Sequence, residues 1–359
     1  MSSTRADLIV VGGGPIGLAT AIEGRRAGLS VLLVEPRIGP VDKACGEGLM
    51  PGTVAALQRL GVHIKGAPFR GIRYVAPNGD RTVTHRFSTD VGLGVRRTEL
   101  HAALAARAAE VGVLSHRGRV VGIPTARSAA GANARAGIEV MVELDDGSAV
   151  GGNWVLGCDG LHSIVRRESG LALGSDGRRF GIRRHAALAP WTDVVEVHWS
   201  AKGEAYVTPI SDTEVGIAVL GPRGWPFDEA LATFPALARR LSGARWTTPA
   251  RGAGPLRQKV ASPIGDRVLL VGDAAGYVDA LTGEGLRIGL ACAHEAVRCV
   301  AAGRPQDYPR RWRSVTREYR WLTSGLVTTT RVPIARRLLV PTAARLPRIF
   351  GAAVDALAR

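Results

Sequence analysis

The sequence predicts an α/β fold: a Rossmann-type domain built on a parallel sheet, interrupted by a mixed β-sheet domain and followed by C-terminal helices. Three observations predict it. A strand, a glycine-rich turn, a helix and a second strand occupy the first 35 residues. A further apolar strand ending in Gly-Asp arrives only near residue 270. Between them lie strands whose apolar and polar residues alternate, the pattern of a sheet with one solvated face.

The first unit reads as follows. Asp7–Val11 is a short apolar, β-branched strand, Gly12-Gly13-Gly14-Pro15 is a turn, and Ile16–Ala27 has helical apolar spacing that stops at Gly28. Ser30–Val34 is the second strand, ending at Glu35. Downstream, Thr98–Val111 reads as a helix with Leu100 and Leu104 on one face, and Arg119–Ile123 and Ile138–Leu144 as strands. Asp146-Gly147 is a hairpin turn into Ala149–Leu156, and Thr125–Ala136 is a flexible surface loop. Val194–Ser200, Ala205–Ile210 and Glu214–Leu220 form the alternating strands, Arg267–Val271 is a buried strand, and Gly283–Val300 is a helix.

Length and composition bound the answer. At 359 residues the chain holds about two domains, and 46% hydrophobic against 22% charged residues excludes wholesale disorder. Lys+Arg number 47 against 31 Asp+Glu, a net charge of +16, and all but four of the basic residues are Arg. With the high Ala and Gly content this reads as coding bias, although such a charge suits phosphate cofactors, nucleic acid or acidic lipid. Four scattered cysteines make no disulfide framework and no Cys-x-x-Cys pair, as in a reduced, cytoplasmic protein. The uncharged run Leu8–Ile22 would pass for a signal peptide but for four glycines and a proline. No stretch reaches the ~20 apolar residues of a membrane span.

Gly12-x-Gly14-x-x-Gly17 joins a strand to a helix, as a dinucleotide site requires. Gly12 permits the turn, Gly14 admits a diphosphate to the backbone, Gly17 lets helix and strand approach, and Pro15 opens the helix whose N-terminus favours negative charge. Glu35 is placed to accept from ribose hydroxyls and disfavours a 2′-phosphate there, leaving NAD or FAD. The segment Val268–Gly276 decides between those two. Its Gly272-Asp273 is suited to a polyol, and Gly283-Glu284-Gly285 brings helix amides toward the ring of a reduced flavin. A third piece, Asp159-Gly160, follows the strand Trp154–Leu156.

With these residues the sequence resembles the FAD-dependent oxidoreductases built like para-hydroxybenzoate hydroxylase, which include aromatic hydroxylases, flavin halogenases and geranylgeranyl reductases. The match rests on Gly12/Gly14/Gly17, Asp159-Gly160 and Gly272-Asp273, together with Arg97 before Leu100 and Leu104, an Arg that touches the cofactor in that family. Lys43-Ala44-Cys45-Gly46-Glu47-Gly48 and Thr282-Gly283-Glu284-Gly285-Leu286 resemble segments of the geranylgeranyl-reductase-like branch. Tyr206 and Thr208 depart from that branch, standing where it carries Trp and Phe, and a proline it often has is replaced near Ala280. The Trp-x-Trp-x-x-Ile-Pro signature of halogenases is absent. The resemblance implies a discontinuous FAD-binding domain over 1–75, 95–180 and 255–303, a substrate domain over 76–94 and 181–254, and a basic helical region over 304–359.

Two reactions compete. An NADH- or NADPH-driven monooxygenase would hydroxylate an apolar phenolic, polyketide or lipid-like substrate; a reductase would saturate isoprenoid or other C=C bonds. The departures at Tyr206 and Thr208 favour hydroxylation. Cys45 is a candidate proton donor, or else a small residue in a tight turn. Glu47, with Glu284, either flanks the active site or caps a helix. Lys43 either binds a substrate or phosphate oxygen or is solvated. Tyr206, Trp199 and Trp191 either line an aromatic substrate wall or pack in the core. The histidines have no metal-ligand spacing, so no metal is expected.

Residues 304–350 hold eleven Arg against Asp307 and Glu318, interleaved at first with Trp312, Tyr319 and Trp321. Ile334–Val340 and Leu346–Leu357 are mostly apolar. The tail is either a helical cap over the substrate pocket, the favoured expectation, or a peripheral contact with anionic membrane. No nucleic-acid motif accompanies the charge, and no obligate protein partner is implied.

Overall fold

The computed structural model describes residues 5–88, 90–124, 140–175 and 177–358. The loop expected over Thr125–Ala136 lies outside the described residues.

The first sheet is organised around Arg5–Val11, whose Leu8–Val11 run is buried on both faces, as a central parallel strand must be. Val31–Val34 and Ala149–Gly157 flank it in parallel, and Leu114–His116 and Val268–Leu270 extend the two sides. Val140–Leu144 and Ala149–Gly157 form the expected hairpin. Gly147 takes φ +81° and the Ser148 amide donates to Asp146 Oδ1 at 2.9 Å. Helix Pro15–Arg26 packs against helices Arg97–Glu110 and Gly285–Ala301.

The second sheet is mixed. Its order is Arg245–Trp246, Arg179–Ala187, Glu214–Pro222, Glu204–Ser211, Val195–Trp199, Gly71–Val75, Thr82–Arg86, and all neighbours are antiparallel except Val195–Trp199 with Gly71–Val75. Gly71–Val75 therefore sits in the sheet of the second domain, not the first, because Ile72 and Tyr74 pack with Val197 and Trp199. Neighbouring residues on a strand serve opposite faces. Val207 packs with Phe227 and Leu237 of two short helices, whereas Tyr206 packs with Val327 and Phe350 of the C-terminal helices.

Those last helices, Tyr308–Arg331, Pro333–Arg345 and Pro347–Ala358, thus close one face of the second sheet. A small sheet of Gly48–Leu49, Ala67–Phe69 and Gly92–Gly94 lies where the domains meet. Gly94 approaches the second sheet so closely that a Cβ would lie 1.6 Å from the Pro209 carbonyl.

Candidate active site

The glycine turn is held by contacts that exclude side chains. Gly12 takes φ +101°, and a Cβ on it would meet Asp159 Cα at 2.8 Å. A Cβ on Gly17 would lie 1.7 Å from the Gly12 carbonyl oxygen. Gly14 is open, with only the Arg97 guanidinium near its Cβ position, at 3.8 Å. Pro15 fills the first helical turn, where a missing N–H costs nothing.

Glu35 reaches across to this turn. Its Oε2 accepts the Gly13 amide at 2.7 Å, and its Oε1 accepts from Arg37 Nε at 2.6 Å. Burial pushes the Glu35 carboxyl up, but Arg37 and the two amides outweigh it and hold the group below the usual range. His101, next to the Arg97 turn, bonds the Gly13 carbonyl through Nε2 at 2.9 Å, and burial lowers its pKa. His162 is exposed.

Three cations converge opposite. Arg97, Lys43 and Arg166 are the charges that act on Asp273, yet burial prevails and raises its carboxyl to about 6. Burial and then the like charges of Arg37 and Arg97 lower the Lys43 pKa. Arg97 Nε is buried with no hydrogen-bond partner. Gly160, with φ +82°, would place a Cβ 3.9 Å from Lys43 Nζ. Asp159 itself turns inward, its Oδ2 accepting the Ile164 and Val165 amides and so fixing the short helix Ile164–Glu168. It positions the turn through Oδ2, while its Oδ1 is buried with no hydrogen-bond partner. Arg166 from that helix donates to the carbonyls of Asp273 and Ala274 at 3.3 and 3.0 Å.

Gly272 takes φ +63° where the strand Val268–Leu270 breaks. Gly283 has open space about its Cβ position, and a Cβ on Gly285 would lie 3.4 Å from the Tyr277 ring. A cleft of about 20 Å³ lies among Gly272, Asp273, Tyr277, Gly285, Tyr319 and Arg320. A larger cavity of about 870 Å³ opens away from this trough, between helices Pro51–Arg59 and Gly285–Ala301, lined in part by Arg59, Phe87, His294 and Asp355.

The loop 43–48 reaches the same place. Cys45 is partly exposed, accepts the Glu47 amide on Sγ at 3.4 Å and lies within electrostatic reach of Tyr277. Of its two expected roles Glu47 takes the helix cap, at the first residue of helix Arg97–Glu110, not a free place at the reacting centre. It is 3% exposed, and both its oxygens are taken. Oε1 accepts the Arg97 amide at 2.7 Å, and Oε2 accepts from His185 Nε2 at 2.5 Å with Arg183 Nε 3.8 Å away. Arg96 and Arg183 both approach His185 Nδ1 at 3.0 Å, so Nδ1 accepts and Nε2 carries the hydrogen. Glu284 pairs with Arg287 one turn on, and burial raises its carboxyl despite that pairing.

The aromatic wall also needs correcting. Trp199 is 2% exposed, edge-on to Tyr74 at 5.4 Å, and packs beneath the C-terminal helices. Tyr206 donates to the Leu281 carbonyl at 2.6 Å, tying the sheet to the glycine segment. Trp191 lies under Arg240 and donates to Glu196. Trp199 and Tyr206 lie on strands, where packing against the next layer claims them, and Trp191 lies in the bend before Val195–Trp199.

Sequence reasoning missed Arg96, Arg183, His185, Asp42 and Arg166. Arg183 and His185 stand two apart on Arg179–Ala187, so they share one face of a strand. Buried charges at that spacing were the available signal.

An open glycine turn, a carboxylate beside it, a half-buried guanidinium whose Nε has no partner and a cluster of cations together define a dinucleotide-binding flavoprotein site. The residues fit FAD: Arg97 and Lys43 complement a diphosphate, and Glu35 a ribose. The FAD binding domain family matches residues 5–303, and the chain belongs to it; it is an FAD-dependent oxidoreductase. The chain is 31% identical over 352 residues to the menaquinone reductase of Mycolicibacterium smegmatis, covering 88% of this chain and 81% of that protein. It is 27% identical to digeranylgeranylglycerophospholipid reductase 2 of Methanopyrus kandleri, over 84% of this chain and 78% of that one. Among solved structures, the flavin-dependent brominase Bmp2 superposes with a TM-score of 0.78 at 18% identity, over 99% of this chain and 94% of that one. At that identity the likeness is one of fold.

Proposed function

We propose that the protein reduces carbon–carbon double bonds in the isoprenoid chain of a lipid, with NADH or NADPH as electron donor. The observation that carries this reading is the loop Lys43–Gly48, which has the reductase-like pattern and presents a partly exposed thiol within electrostatic reach of Tyr277. The reductase relatives, matched over most of the chain, support it.

Bound FAD would supply the hydride. The chain supplies the rest. Arg97 and Lys43 hold the diphosphate, Glu35 the ribose, and Gly283 and Gly285 leave the ring uncrowded. Cys45 Sγ holds the proton that the second carbon of the double bond takes. The buried Glu47–His185–Arg183 group positions both the thiol loop and Arg97.

Hydroxylation, the reading that the sequence favoured, keeps one observation. Thr208 Oγ1 donates to the Gly46 carbonyl at 2.9 Å, so a polar tie stands where the reductase pattern has an aromatic ring. Anaerobic incubation of the chemically reduced holoprotein with polyprenyl quinones and prenyl lipids tests the choice. Two added hydrogens located in the prenyl chain, after any quinol has been reoxidised to the quinone, support reduction; no anaerobic product, with product in air matched by stoichiometric oxygen uptake, overturns it.

A further inference from the structure

The three C-terminal helices are partnered on one side only. Val327, Val340, Phe350 and Val354 pack on Trp199 and Val83, and Arg336 is buried, donating to the Thr330 carbonyl and lying 3.8 Å from Glu204. This side fixes the helices to the second sheet.

The other side carries large apolar residues in the open: Trp321, Val332, Ile334, Leu338, Leu346 and Ile349 are 76, 49, 67, 53, 47 and 66% exposed. They are not scattered. Trp321, Gly325, Thr328 and Val332 are spaced four, three and four apart, one exposed face of helix Tyr308–Arg331 that runs into the corner at Val332. Ile334 and Leu338 continue it on the next helix, and Leu346 and Ile349 lie at the following corner. Arg331, Arg337, Arg345 and Arg348 are exposed beside them, and no acidic residue occurs between Glu318 and Asp355.

We propose that this face docks on an anionic lipid bilayer. Charge chooses the occupant. A second copy of the same face would bring arginines against arginines, with no carboxylate on either side to pair them. A nucleic acid would leave the exposed aliphatic residues uncompensated. A bilayer takes both kinds of group at once, aliphatic side chains and Trp321 into the interface and guanidiniums among the phosphates. No helix among the described residues is long and apolar enough to cross a membrane, so the contact is peripheral. The face is already folded and anchored, so docking orders nothing new. The argument stands on exposure and charge alone, independent of the reaction.

The test is flotation of the holoprotein with vesicles of phosphatidylcholine, with and without phosphatidylglycerol, in low and high salt. Binding is expected only with phosphatidylglycerol and is weakened by salt. The variant R337Q/R345Q/R348Q loses about tenfold or more in affinity. Removing the same charge far from the face, in R117Q/R119Q/R239Q, changes it much less. I334S/I349S, with charge intact, also binds more weakly. Every substituted side chain is exposed, and the melting temperature and flavin absorbance of each variant verify its fold. Equal losses in the two arginine variants overturn the proposal in favour of bulk charge. So does binding unaffected by I334S/I349S, or binding that is indifferent to phosphatidylglycerol.

Discussion

Glu47 Oε1 accepts the backbone N–H of Arg97 at 2.7 Å, which makes one carboxylate the hinge pin between the thiol loop and the helix that carries the guanidinium whose Nε has no partner. Its other oxygen is all that faces His185 Nε2 and Arg183 Nε in a site without water access. Glu47→Gln preserves shape but removes the charge, leaving buried donors uncompensated. The apoprotein is expected to lose roughly 2–4 kcal/mol in urea unfolding, with weaker FAD binding. Unchanged stability would show that the group is not a structural pin.

Arg97 offers the converse case. Its Nε makes no hydrogen bond and its charge acts only at a distance on Asp273, so Arg97→Met should lower the melting temperature of the apoprotein only slightly. FAD affinity, read by flavin fluorescence quenching, should fall about tenfold or more, the cost of a charge-assisted bond. Equal affinities would place the diphosphate elsewhere.

Asp273 carries a pH dependence. Its carboxyl is raised to about 6 in the folded protein. Between about pH 4 and 6 the native state therefore keeps a proton that the unfolded chain has released, and stability falls as pH rises through that window. Above it the cost is complete. Asp273→Asn in the apoprotein should melt higher than the natural chain at about pH 8, with the difference closing toward pH 4. A gap that widens on acidification would contradict the burial argument.

Two glycines separate packing from chemistry. Gly17→Ala puts a Cβ 1.7 Å from a carbonyl oxygen, and soluble, flavin-loaded protein should not be recovered. Gly46, beside Cys45, has nothing within 4 Å of its Cβ position. Gly46→Ala should fold and bind FAD normally, and its turnover should drop because a methyl is added next to the Cys45 thiol. Normal turnover in Gly46→Ala would move the reacting centre away from this loop.

Cys45→Ala should retain the flavin spectrum and lose turnover by about a hundredfold, the ordinary contribution of a positioned proton donor, while Cys45→Ser keeps part of the rate. A rate unchanged in both would return the thiol to a packing role.

The inner strands of the first sheet were legible because they are unbroken buried runs, whereas the exposed edge strand Leu114–His116 was not. Leu8–Val11 and Val31–Val34 can satisfy their apolar side chains only between layers. The glycine turn was legible because backbone crowding at Gly12 and Gly17 leaves no other residue a place. Arg179–Ala187 was not read as a strand, since three arginines and a histidine disguise a segment whose charges are neutralised by residues far along the chain, Asp42, Glu47 and Glu204 among them. The same long-range pairing hid the true work of Glu47. Trp199 and Tyr206 were misread because strand spacing reveals a face but not what covers it, and their cover is a set of helices over a hundred residues later.

The second sheet is threaded into the first domain by chain that leaves before Gly71, returns by Arg97, leaves again before Arg179 and comes back by Ile264. A module sewn in at four seams cannot swing like a lid on one tether, nor be exchanged by a single splice. Anyone grafting a different specificity onto this scaffold must match every seam, along with the Asp42–Arg183 and Arg96–Glu214 rivets that cross it.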